Sequence, residues 1–202
     1  MSSDRKRHHF NELASRWDQL PGGAGARPRV ERFVERAVRP GACRILDVGC
    51  GTGILLPYLL KACRAATCLV ELDFAEEMLR ENSRKVADRR AWRVCADAQA
   101  LPFRDEYFDL VLCFGVLPHL TDLESALAEQ LRVLRPLGVI SAGHIMGSQE
   151  LNAFHRSLGE PICRDTLLPA ESLATRLRRL GAIPLAGEED PEWYFVQATK
   201  AT

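Results

Sequence analysis

A chain of 202 residues, 47% apolar and 27% charged, is long enough to bury one substantial core and has the composition of an ordinary globular domain. Basic and acidic residues balance at 27 each, which removes any net electrostatic pull toward nucleic acid. No apolar run approaches the roughly 18 residues that span a bilayer, and the polar, basic N-terminus lacks the apolar stretch of a secretory signal.

The first 40 residues divide into a short helical stretch at Phe10 to Trp17, a Gly/Pro/Ala-rich linker at Pro21 to Pro28 and a helix at Arg29 to Val38. From Cys43 onward strand-like and helix-like segments alternate. Arg44 to Val48 is an apolar strand, and Thr52 to Ala62 a helix with Ile54, Leu55, Tyr58 and Leu59 on one face. Thr67 to Leu72 is a second strand, and Ala75 to Ala87 a second helix carrying Met78, Leu79, Asn82 and Val86 on one side. Trp92 to Ala96 and Phe108 to Phe114 are the third and fourth strands. Leu123 to Leu134 is a long helix stopped at Pro136, and Val139 to Ile145 a fifth strand. Pro169 opens and Gly181 closes a further helix, Pro169 to Leu180. Trp193 to Thr199 is a last strand, with a weaker one at Ala182 to Leu185. Strands alternating with helices imply a mostly parallel sheet covered on both faces.

Seven cysteines form no C-x-x-C pair and read as reduced thiols of a cytoplasmic protein. Cys43, Cys50, Cys68, Cys95 and Cys113 lie in or beside strand-like runs, as small hydrophobes. Two basic clusters, Arg5-Lys6-Arg7 and Arg176/Arg178/Arg179, read as a solvated tail and a solvated helix face.

The stretch Asp47-Val-Gly49-Cys50-Gly51-Thr-Gly53 follows the first strand and places three glycines at alternate positions. Glycines let the chain turn sharply and let a ligand approach the backbone, the arrangement by which open α/β sheets bind nucleotide-like groups. A dinucleotide fingerprint needs its third glycine where Ile54 stands, which disfavours a nicotinamide dehydrogenase. The order D-x-G-x-G-x-G resembles motif I of class I S-adenosylmethionine (SAM) methyltransferases. Asp73-Phe74-Ala-Glu-Glu-Met78-Leu resembles that family's D-x-S-x-x-M-L segment, with Ala75 in place of serine. Ala96-Asp97-Ala98-Gln-Ala-Leu-Pro-Phe-Arg-Asp-Glu-Tyr-Phe-Asp109-Leu-Val111 resembles its D-A-x-x-L-P-F-x-x-x-x-F-D-x-V run. Arg132-Val-Leu-Arg-Pro-Leu137-Gly138 resembles R-V-L-K-P-G-G, with Leu137 replacing the first glycine. Phe10-Asn-Glu-Leu-Ala-Ser-Arg-Trp17-Asp18 is similar to the F-x-x-x-A-x-x-Y-D opening of the small-molecule branch, which includes the ubiquinone and menaquinone methyltransferases.

The resemblance implies a Rossmann-like, doubly wound seven-strand sheet of order 3-2-1-4-5-7-6 with its last strand antiparallel. It implies residues 1–40 as a helical lid and linker, and 41–202 as the SAM-binding domain. It places SAM, with S-adenosylhomocysteine (SAH) as product, on Asp47, Gly49, Cys50, Gly51, Gly53, Asp73, Phe74, Met78, Asp97, Ala98, Phe114 and Trp17. Asp73 holds the ribose diol and Asp97 the adenine amino group; without the resemblance, Asp73 reads as a helix N-cap. The acceptor is a small molecule, not nucleic acid, and the oligomeric state is open.

Methyl transfer is an in-line displacement governed by proximity, and a base helps when the nucleophile must lose a proton. His119, after the fourth strand, is the expected base. His144, Met146 and His155 are expected near the substrate, with Phe154 and Arg164 as further contacts in the 146–170 insertion. No metal is expected, although His119, His144 and His155 would form a metal site if they converged. The rival reading is a non-catalytic SAM-binding protein or partner subunit.

Overall fold

The computed structural model of the chain describes residues 3–20, 23–65 and 67–202. Its elements in chain order are α1 (Ser3–Leu13), a 3-10 turn (Ala14–Gln19), α2 (Gly23–Ala37), β1 (Arg44–Val48), α3 (Leu56–Ala62), β2 (Cys68–Asp73), α4 (Glu76–Lys85), β3 (Ala91–Cys95) and β4 (Phe108–Phe114). Then follow a 3-10 turn (Leu117–His119), α5 (Leu123–Val133), β5 (Leu134–His144), α6 (Ser148–Ser157), α7 (Ala170–Arg179), β6 (Ala182–Asp190) and β7 (Trp193–Lys200). The strands form one sheet, β3-β2-β1-β4-β5-β7-β6, parallel from β3 to β5, with β7 antiparallel to both β5 and β6. The seven-strand doubly wound architecture expected from the sequence is therefore present.

Period-two alternation sends the strands' apolar residues to two cores, because successive side chains point to opposite faces. Leu46, Val48, Val70, Val111 and Ile140 meet Leu127 and Leu131 of α5 and Leu173 and Leu177 of α7. Ile45, Leu69, Leu110 and Leu112 meet Val30, Phe33 and Val34 of α2 and Leu56 and Leu59 of α3. Asp109 pins the sheet's start: its carboxylate accepts from the Cys43 and Arg44 amides, both at 2.8 Å, and pairs with Arg135.

Several boundaries differ from the sequence reading. Gly23 to Pro28, read as linker, belongs to α2, because Ala26 continues the buried face of Val30, Phe33, Val34 and Ala37; Pro21 and Gly22 lie outside the described residues. The glycine turn delays α3 until Leu56, which leaves Ile54 exposed rather than on the helix's apolar face. β5 starts at Leu134 and ends at His144, and a register shift between Phe108 and Leu110 absorbs the Pro136–Gly138 turn, where Leu137 takes a φ of 60°. β6 runs on to Asp190. All seven cysteines are free, but Cys43 and Cys95 are exposed; only Cys50 and Cys113 are buried.

Candidate functional site

The carboxyl ends of β1, β2 and β4 converge where the strand order reverses, the place where open α/β sheets bind ligands. The Gly49 and Cys50 amides donate to the Leu72 carbonyl at 2.7 and 3.0 Å, which folds the glycine loop back over β2. Gly49, Gly51 and Gly53 all have positive φ, at 69°, 53° and 86°. A Cβ at Gly49 would lie 2.2 Å from Val116, and one at Gly53 would lie 2.8 Å from Asn82. At Gly51 it would meet nothing within 4 Å, so that side of the loop is open.

Asp73 ends β2, and its carboxylate accepts from the Gly51 amide at 2.9 Å and the Ala75 amide at 2.8 Å. A carboxylate offers about four acceptor positions, so roughly two remain for a ligand. Burial pushes its carboxyl up to about 6, and the Ala75 and Gly51 amides hold it back from rising further. Beneath the loop, Asp47, Glu71 and Arg93 are neighbours on β1, β2 and β3. Asn82 donates to Glu71 at 2.9 Å and accepts from Arg93 at 3.0 Å, which ties α4 into this row. Burial raises Asp47 well above its ordinary value, with Glu71 and Asp73 adding to the effect, and pushes Glu71 up to about 7. Burial likewise keeps the Cys50 thiol protonated.

Asp97 sits in the loop after β3 and accepts from the Gln99 amide at 2.9 Å and from the Gln99 side chain. Ala98 is buried beside it. The loop's course is clamped from α5: Glu129 accepts from the Leu101 amide at 2.8 Å, and Arg132 donates to the carbonyls of Leu101 and Phe103. Phe114 packs on Phe33 of α2, with ring centroids 4.8 Å apart.

The N-terminal segment lies across this edge of the sheet. Phe10, Ala14, Ala75, Met78 and Ile162 form a third small core, with Phe74 and Trp17 against it. Asn11 accepts from the Glu77 amide at the start of α4. Asp18 accepts from the Thr52 hydroxyl of the glycine loop at 2.6 Å and pairs with Lys85. Arg5 and Arg7 are exposed, as a solvated basic cluster should be, but Lys6 between them is buried, because helical spacing sets it on the same side as Phe10, one turn away.

His119, on the turn after β4, is edge-on to Phe10 at 5.1 Å and lies 5.3 Å from the ring of His155 of α6. Its Nδ1 lies 2.7 Å from the Asp165 carboxylate, so Nδ1 carries the proton and Nε2 keeps a lone pair. Burial lowers the His119 pKa, against the pull of Asp165, so the ring is neutral near pH 7. His155 Nδ1 donates to the Asp165 carbonyl at 2.9 Å. His144 Nδ1 accepts from the Met146 amide at 3.0 Å, which leaves its proton on Nε2; burial, with His119 and His155 nearby, brings its pKa down to about 4. The three histidines thus gather at one place. Among the described residues, no group of three or more His, Cys, Asp or Glu side chains has metal-binding geometry. Arg164 is exposed and pairs with Glu160, whereas the partly exposed Phe154 lies beside His155, ring centroids 6.2 Å apart. Asp165 escaped the sequence reading because no motif surrounds it.

Residues 46–142 match the family described as methyltransferase domain. The chain carries a methyltransferase domain of the class I, SAM-dependent family. It is 37% identical over 144 residues to a malonyl-[acyl-carrier protein] O-methyltransferase of Halorhodospira halophila, covering 69% of this chain and 48% of that protein. It is 35% identical over 136 residues to a demethylmenaquinone methyltransferase of Roseiflexus castenholzii, covering 65% of this chain and 56% of the other. The chain thus spans about half the length of the curated relatives it matches. Its fold matches the crystal structure of the [4+2]-cyclase SpnF with a TM-score of 0.78 at 20% identity, covering 100% of this chain and 97% of that one. Among the described residues no helix is long and apolar enough to cross a membrane.

Proposed function

We propose that the protein transfers a methyl group from SAM to a small-molecule acceptor whose nucleophilic atom carries a proton, and releases SAH. When bound, SAM supplies an electrophilic methyl on a sulfonium. The open side of Gly51 gives that group backbone to lie against, and the spare acceptor positions of Asp73 suit its ribose diol. Asp97 and the Ala98 amide suit the adenine edge. Residues 3–19 act as the lid: they exclude water and bury the loop beneath the aromatic cluster.

The observation that carries the reading is Phe10. One ring touches Phe74, beside Asp73, and also His119, so the donor-side and base-side residues share one roof. Under it, His119 Nε2 takes the acceptor's proton as the nucleophile forms its new bond, and Asp165 stabilises the resulting imidazolium. The paired histidine favours an enzyme over a non-catalytic SAM-binding subunit, which has no use for a poised base. The relatives' names, a malonyl-[acyl-carrier protein] O-methyltransferase and a demethylmenaquinone methyltransferase, set the first panel, scored by SAH release. It holds naphthols, whose nucleophile must lose a proton and which test the base, and malonyl thioesters, whose carboxylate need not and which serve as the control. Turnover of a proton-bearing acceptor by wild type that falls at least tenfold in His119→Ala, with SAH affinity unchanged, is the expected result. Binding of SAM with no SAH release over a broad acceptor panel would favour the non-catalytic reading.

A further inference from the structure

Lys6 and Asp165 are separated from each other by most of the chain, and neither is part of a family motif. Yet both are buried, with side chains 6% and 5% exposed, and their charged atoms are 2.6 Å apart. Lys6 also donates to the backbone carbonyl of His119 at 3.0 Å, and the second oxygen of the same Asp165 carboxylate holds His119 Nδ1. A buried ion pair gives little stability beyond well-packed apolar residues, because desolvation offsets the attraction. Its retention against the base calls for a reason other than stability. We propose that Asp165 and Lys6 are positioning residues for His119: Asp165 fixes the tautomer that leaves Nε2 free, and Lys6 brings the lid's charge to bear on that pair when α1 is closed.

This rests on reading His119 as the base. The groups facing the pair come from every side of it: Lys6 and His9 from α1, His155 from α6 and His144 from the end of β5. Lys6 is the one lysine or arginine among them, Asp165 the one carboxylate. They act in opposite directions on His119: the carboxylate favours the imidazolium and the ammonium opposes it. Lys6 is held there by the rest of the lid, since Asn11 and Asp18 anchor the same segment to α4 and the glycine loop. The segment that covers the donor side therefore also sets the charge beside the base.

The experiment is a histidine-labelled long-range proton–nitrogen NMR titration of the full chain, which needs no acceptor and is read with and without SAH. Wild-type His119 is expected to show a proton on Nδ1. Lys6→Met should move its titration midpoint up by about one pH unit and Asp165→Asn should move it down by a similar amount. The amide that Asp165→Asn introduces can still accept from Nδ1, so the turn is retained, and Lys6→Arg should return the midpoint to the wild-type position. A merely structural latch would not give opposite shifts. Midpoints that stay put in both variants, shifts in the same direction, or a proton on Nε2 in wild type would each overturn the proposal. SAH calorimetry on the same samples separates this from the cofactor reading, which fails if wild type does not bind SAH whatever the titration shows.

Discussion

Replacing Asp73 by alanine is the sharpest test of where the donor binds. The carboxylate already accepts two backbone amides, from Gly51 and Ala75, and retains about two acceptor positions. A ribose diol placed on them forms two hydrogen bonds to a charged group, each worth about 1.5–3 kcal/mol. Taking the lower figure twice gives a loss of about 3 kcal/mol for Asp73→Ala, or more than 100-fold in SAH affinity at about 1.4 kcal/mol per decade. Asparagine keeps one acceptor oxygen, so Asp73→Asn should lose about half as much, roughly tenfold. Alanine also removes the acceptor for two amides, so the melting temperature should drop by about 2–4 °C per kcal/mol lost. Calorimetry with SAH well below that temperature separates binding from unfolding. A folded Asp73→Ala protein binding SAH within about threefold of wild type would refute the assignment.

Asp97→Ala tests the proposed adenine contact, and calorimetry should show about a tenfold weaker SAH affinity with little change in stability. Gly49→Ala and Gly51→Ala share the cost of a positive φ, about 1–2 kcal/mol, but only the first drives a Cβ into Val116, adding about 1–3 kcal/mol. Thermal melts should therefore rank Gly49→Ala as the less stable, while Gly51→Ala stays folded and loses SAH binding. Glu71 has a folded pKa above its ordinary value, so the stability it contributes is complete below about pH 4.5 and is lost as pH rises through about 7. Glu71→Gln removes the buried charge and can still accept from Asn82, so its melting temperature should exceed wild type at pH 8 by more than at pH 5. Equal differences at the two pH values would count against the buried-charge argument.

The alternating apolar strands were legible in the sequence because each must cover two faces of one sheet, and Ile45 against Leu46 already reports that division. The glycine loop and Asp73 were legible because backbone geometry demands those residue types. The clamp by Arg132 explains why the 97–109 run and the Arg132–Gly138 run occur together: one guanidinium holds two carbonyls of the other. Lys6 and Asp165 were not legible. A lysine in a basic run ordinarily faces water, and its burial depends on a partner in the 146–170 insertion that local pattern cannot supply. The i, i+4 spacing of Lys6 and Phe10 is the signal that marks the covered side of α1. Gly23 to Pro28 misled for the opposite reason: weak helix formers were overruled by the packing of Ala26 and its successors.

The small core under α1 joins two stretches far apart in the chain, since Phe10 and Ile162 belong to one cluster and Lys6 and Asp165 to one ion pair. Neither stretch adds a strand to the sheet, so neither is held by its ladder. The two should open as a single unit, with amides of 6–14 and 155–165 exchanging at one shared opening free energy below that of the sheet. Hydrogen exchange would then show SAH slowing both stretches equally, although only the first is continuous with Asp18, the lid residue that touches the glycine loop.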